Sequence, residues 1–150
     1  MLEELGKLLT QTGRKILFVG IGNVLKQDDG AGVYISRMIE ENSNIRTLTV
    51  EVSIENYIGK INSLNHDTLV LIDCMDTGSQ PGSVVFLPVE EVTDITFNTH
   101  NISLKNIAVF FTSEVYILGI QPVSVDFGEN ISDIVRIRAD DIINLINKRR

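Results

Sequence analysis

A single cysteine, Cys74, stands in 150 residues, so the chain has no internal disulfide to form and no need of an oxidising compartment. The opening stretch MLEELGKLLTQTGRK lacks the basic start and long apolar run of a secretory signal, and it carries acidic residues where such a signal is basic. A cytoplasmic location is the expectation. Long apolar runs are missing too: residues 107–120 are interrupted by Glu114 and fall short of the roughly 20 apolar residues that a bilayer requires. No membrane insertion is expected. Basic charge is scarce, with 13 Lys and Arg against 20 Asp and Glu and a net charge of -7, which opposes binding to a phosphate backbone. Nucleic acid is therefore not an expected partner, and Asn147-Lys148-Arg149-Arg150 reads as a solvated tail or as a match to a helix C-terminal dipole. Only three prolines occur, and no repeat or low-complexity tract divides the chain. With 43% apolar residues, one domain over residues 1–150 with a single core is expected, as a monomer.

What the chain does contain is alternation. After a short helix over residues 2–9, the apolar run at residues 15–21 reads as a strand buried on both faces. Ala31, Tyr34, Ile35, Met38 and Ile39 then recur at helical spacing. A β-branched stretch follows at residues 45–52, a helix at 57–64, and a second fully apolar run at 68–72. Residues 83–87 read as a strand, 103–111 as a helix, 115–120 as a strand, and 131–146 as one or two closing helices. This rhythm predicts an α/β fold: a mostly parallel, twisted five-stranded sheet with helices on both faces, a three-layer sandwich. The common strand order 2-1-3-4-5 makes the first and third strands neighbours.

Between the first strand and its helix lies GIGNVLKQDDGAG, residues 20–32. It fails as a dinucleotide fingerprint, because Leu25 stands where the third glycine belongs, and as a Walker loop, because Asp29-Gly30-Ala31 replaces Gly-Lys-Ser/Thr. Two carboxylates at a helix N-terminus would also repel a pyrophosphate. A nucleotide-binding domain stays as a minor alternative. Asp28 is expected to cap the helix.

Asp29 lies just beyond the first strand and Asp73 just after the third, so both should face the crevice at the carboxyl ends of neighbouring strands, where α/β sheets bind ligands. His100, in Phe97-Asn-Thr-His-Asn101, completes an Asp/Asp/His set suited to a borderline divalent cation such as nickel or zinc. The alternative for Asp73 is a loop-capping role, and for His100 a plain loop histidine. Cys74 as nucleophile with His100 as base is the weaker reading, since a free cysteine after a buried strand usually packs. His66 falls in a turn before a strand. No Gly-x-Ser-x-Gly elbow or His-Glu-x-x-His helix is present.

Four stretches in register, Gly20 to Gly32 as quoted, Leu71-Ile-Asp-Cys-Met-Asp-Thr-Gly78 with Pro81-Gly82, Asn98-Thr-His-Asn101, and Leu118-Gly-Ile-Gln-Pro122, resemble the hydrogenase maturation endopeptidases. The likeness is to the branch serving formate-hydrogenlyase and related energy-converting hydrogenases. It implies a protease that removes a C-terminal extension from the large-subunit precursor of a NiFe hydrogenase once nickel has been inserted. It further implies that Asp29, Asp73 and His100 are the catalytic and metal-binding residues, that nickel arrives with the precursor, and that zinc or cadmium can substitute. Metal acting on the scissile carbonyl and a carboxylate acting on water both remain open. So does a non-catalytic, nickel-dependent chaperone or docking module. Relatives carry Asp-Gly-Gly-Thr/Ser after the second strand, where this chain has Thr49-Val-Glu-Val-Ser53 before Glu55-Asn56.

Overall fold

The computed structural model describes residues 2–92 and 104–148. Strand β1 (Ile16–Ile21) is apolar and buried at every position, as a central parallel strand must be. It pairs in parallel with β2 (Ile45–Glu51) on one side and with β3 (Thr68–Cys74) on the other. Beyond β3 lie β5 (Glu114–Ile120), parallel to it, and then β4 (Val84–Pro88), antiparallel to β5.

The sheet order is therefore 2-1-3-5-4 rather than 2-1-3-4-5. Residues 75–83 are too few for the crossover of about a dozen or more residues that a parallel return needs. The chain instead turns at the carboxyl end of β3 and runs back along the outer side of β5, starting with Val84 opposite Ile120. An edge strand tolerates proline, and β4 ends in Pro88.

Alternating side chains divide the core between the two faces of the sheet. Ile16, Phe18, Val70 and Ile72 pack under α1 (Leu2–Leu9), α2 (Ala31–Met38) and α5 (Asp133–Lys148). Leu17, Val19, Leu69 and Leu71 pack under α3 (Ile58–Ser63) and α4 (Leu104–Ile107). The helix expected over residues 103–111 is one α-turn followed by a 3₁₀ turn, Ala108–Phe110, and a 3₁₀ turn, Ile54–Tyr57, leads into α3. The closing segment is the single helix α5. Among the described residues no helix is long and apolar enough to cross a membrane.

Candidate active site

Asp29 sits in a 3₁₀ turn, Gln27–Gly30, between β1 and α2, and is fully buried. Two glycines put it there. Gly22 has φ +144, and a Cβ on it would strike the Asp29 carbonyl. Gly32, in the first turn of α2, is wedged against the carbonyl oxygens of Ile21 and Ile72, so no side chain fits. That contact draws the helix start down onto the ends of β1 and β3, and Asp29 with it. The Asp29 Oδ2 accepts the Asn23 N–H at 2.9 Å.

Asp73 is also fully buried. It stands inside β3 rather than after it, opposite Gly119 of β5. The space that a side chain on Gly119 would need is filled by Met75. The Asp73 Oδ1 accepts the Cys74 N–H at 2.8 Å. Burial pushes the Cys74 thiol far above its ordinary value, and the carboxylates of Asp73, Asp29, Asp28 and Asp76 push it further the same way. A thiolate nucleophile is disfavoured.

Asp28 does not cap its own helix: neither the 3₁₀ turn nor α2 has a side-chain cap. Its carboxylate reaches across to the β5–α5 connection instead. The Oδ2 accepts the Val123 and Ser124 N–H groups at 2.8 and 3.3 Å, and the Oδ1 accepts the Ser132 N–H at 2.7 Å. The Ser132 hydroxyl donates to the same carboxylate. Adjacent aspartates thus divide the work, Asp28 tying the connection down and Asp29 accepting the Asn23 N–H within the turn.

Gln121 was not legible as a site residue. Its Oε1 accepts the Thr77 N–H at 2.7 Å and the Ser79 N–H at 3.3 Å, while its Nε2 donates to Asp76 Oδ1 at 3.0 Å. It holds the turn that leaves β3 just past Asp73. Its only signal was the Leu118-Gly-Ile-Gln-Pro122 stretch. At the end of β2, Glu51 adopts the left-handed conformation at φ +56, and its carbonyl accepts the Gly22 N–H at 2.9 Å. The backbone kink that glycine makes freely is made here by a glutamate.

His100 lies outside the described residues. Among the described residues no three His, Cys, Asp or Glu side chains form a group that could hold a metal ion. Buried oxygen donors from Asp29 and Asp73 are compatible with a divalent cation, and an imidazole would suit the set to a borderline one. His66 is at the opposite end of the sheet, its Nδ1 2.7 Å from Ser113 Oγ and its Nε2 2.9 Å from the Ile61 carbonyl.

The family model of the HycI hydrogenase maturation protease matches residues 33–149. A Methanocaldococcus jannaschii protein carrying the name of hydrogenase maturation protease is 29% identical, over 89% of this chain and 86% of its own. The crystal structure of the NiFe hydrogenase maturation protease HycI from Thermococcus kodakarensis has the same fold, with TM-score 0.83 and 24% identity over 97% of both chains. The solution structure of the Escherichia coli endopeptidase HycI gives TM-score 0.80 and 23% identity over 89% of this chain and 90% of that one. With that match running from α2 to beyond the last turn of α5, the chain belongs to the hydrogenase maturation protease family.

Proposed function

We propose that this protein removes the C-terminal extension from the large-subunit precursor of a NiFe hydrogenase, and that it does so only after nickel has been inserted. The observation that carries the reading is the pair of fully buried aspartates at one end of the sheet, Asp29 in the turn between β1 and α2 and Asp73 near the end of the adjacent strand β3. Nickel belongs to the substrate here, held by the precursor's own cysteines, and Asp29, Asp73 and His100 complete its coordination. Oxygen and imidazole donors suit such a borderline cation. Precursor without nickel offers nothing for these carboxylates to neutralise, so it binds weakly and is spared.

Hydrolysis requires water to add to the scissile carbonyl, a base to take its proton, and the leaving amine to be protonated as the C–N bond breaks. An aspartate of the pair is the base within reach of a carbonyl brought into the crevice. Cys74, kept neutral by burial and by surrounding carboxylates, takes no part.

The test is the intact mass of nickel-loaded and nickel-free precursor after incubation with the purified protein, with Asp29→Asn as control. Shortening that needs both nickel and Asp29 is the expected result. Nickel-dependent binding with no loss of mass would make the protein a chaperone or docking module instead.

A further inference from the structure

Gln121 stands immediately after β5 and is 7% exposed, so both ends of its amide need partners inside the protein. A backbone N–H can only donate, so the Thr77 and Ser79 amides fix Oε1 on the side of the turn. The Asp76 carboxylate takes a hydrogen of Nε2. Glutamine suits this double task, since glutamate lacks the donor and leucine or methionine lacks both groups. The main chain of the same residue joins in, its N–H donating to the Ser83 carbonyl and its carbonyl accepting the Gly82 N–H, each at 2.8 Å. The connection from β3 to β4 is thus gathered on one residue.

Met75 is where this anchoring meets Asp73. In the β3–β5 ladder Asp73 lies opposite Gly119, and opposed residues of a parallel pair send their side chains to the same face. The Met75 side chain stands where a Cβ on Gly119 would go. Neighbouring strands are about 4.8 Å apart, so a group in that place is next to the Asp73 side chain. Met75 is buried, and its N–H donates to the Ile120 carbonyl at 2.9 Å, the last rung before the turn. A methionine is unbranched and turns about several bonds, so its place is set by where its backbone is held. From the turn side, that backbone is held by Gln121.

We infer that Gln121 is a positioning residue for Asp73: by fixing residues 76–79 it keeps Met75 against Gly119, as the wall beside the Asp73 carboxylate. The inference rests on the proteolytic reading above, in which Asp73 is one of the aspartates at the reacting centre. A misplacement of about 1 Å at such a centre can cost about 100-fold in rate.

The experiment compares the full-length protein with Gln121→Glu, Gln121→Asn and the double variant Gln121→Glu/Asp76→Asn, with Asp76→Asn alone completing the cycle. Gln121→Glu keeps the acceptor for the Thr77 and Ser79 amides but sets a second carboxylate against Asp76. In the double variant an amide at position 76 donates to the new carboxylate, which restores the pair with its polarity reversed. Gln121→Asn is the milder change, its amide one methylene too short to serve the turn and Asp76 together. Urea unfolding establishes that each variant is folded, initial rates on nickel-loaded precursor give kcat/KM, and the carboxyl carbon resonance of Asp73 reads its surroundings directly. Gln121→Glu should lower kcat/KM by about 10-fold to 100-fold and shift the Asp73 resonance. Gln121→Asn should do both to a lesser degree, and the double variant should recover most of the rate. A folded Gln121→Glu with the wild-type rate, or with an unmoved Asp73 resonance, overturns the inference; if Gln121→Glu does not fold, Gln121→Asn decides by the same two readings. A double variant no faster than Gln121→Glu also overturns it. A wild-type protein that binds precursor but never shortens it refutes the protease reading, and the Asp73 resonance alone then decides the positioning role.

Discussion

Replacing Asp28 by alanine deletes the acceptor for three backbone N–H groups and one hydroxyl that belong to the far side of the crevice edge. The two shortest backbone contacts, 2.7 Å from Ser132 and 2.8 Å from Val123, are hydrogen bonds to a charged group. Each such bond contributes about 1.5–3 kcal/mol, and a donor that water can reach after the substitution recovers part of the loss. Val123 is 55% exposed, so the lower end of the range applies and the expected destabilisation is about 3 kcal/mol. For a domain of this size that corresponds to a fall in Tm of roughly 6–12 °C. Asp28→Asn keeps one carbonyl oxygen and should fall between alanine and wild type. Urea unfolding followed by circular dichroism measures the loss, and hydrogen exchange at the Val123 and Ser132 amides locates it. A loss under about 1 kcal/mol with protection unchanged at those amides would refute the reasoning, because it would mean the carboxylate is not holding them.

Asp29→Asn and Asp73→Asn should behave oppositely, lowering precursor cleavage by about 100-fold or more while the fold is retained, since an amide oxygen still accepts the Asn23 or Cys74 N–H. Unfolding curves beside cleavage rates check both halves. Cys74 should resist iodoacetamide near pH 8 in the native protein and react once it is unfolded. Because its folded pKa is raised, the unfolded thiol ionises first, so stability is full below about pH 8.5 and declines as pH rises above it; Cys74→Ala should remove that slope. Gly32→Ala forces a methyl group onto two backbone carbonyls that cannot swing aside, and it should cost about 3 kcal/mol or more and perturb the amide spectra of Ile21 and Ile72.

The features readable in the sequence were those set by local pattern. Continuous apolar runs marked β1 and β3 as central strands, and the neighbouring order of those strands placed Asp29, in the turn after β1, and Asp73 at the same end of the sheet. The end of β3 was not readable, because Asp73 and Cys74 belong to the strand only through pairing with Gly119 and Ile120. The reversal of β4 was implicit in the shortness of residues 75–83, although its strand pattern alone carries no direction. The role of Asp28 was beyond local reading altogether. An aspartate before a helix has the same appearance whether it caps that helix or reaches for Val123 and Ser132, and only the tertiary fold distinguishes them.

The reach of Asp28 also bears on when the protein becomes competent. Its hydrogen bonds join residues 95, 96 and 104 positions apart in sequence. Contacts of such separation form late, after shorter loops have closed, because a long loop must be ordered before they contribute any stability. During synthesis β1, the Asp29 turn and β3 are made well before their tether exists. The crevice edge therefore assembles only when the chain has been extended through Ser132 into α5, so a nascent or C-terminally shortened chain holds the catalytic aspartates of the proposed mechanism without the clamp that positions them.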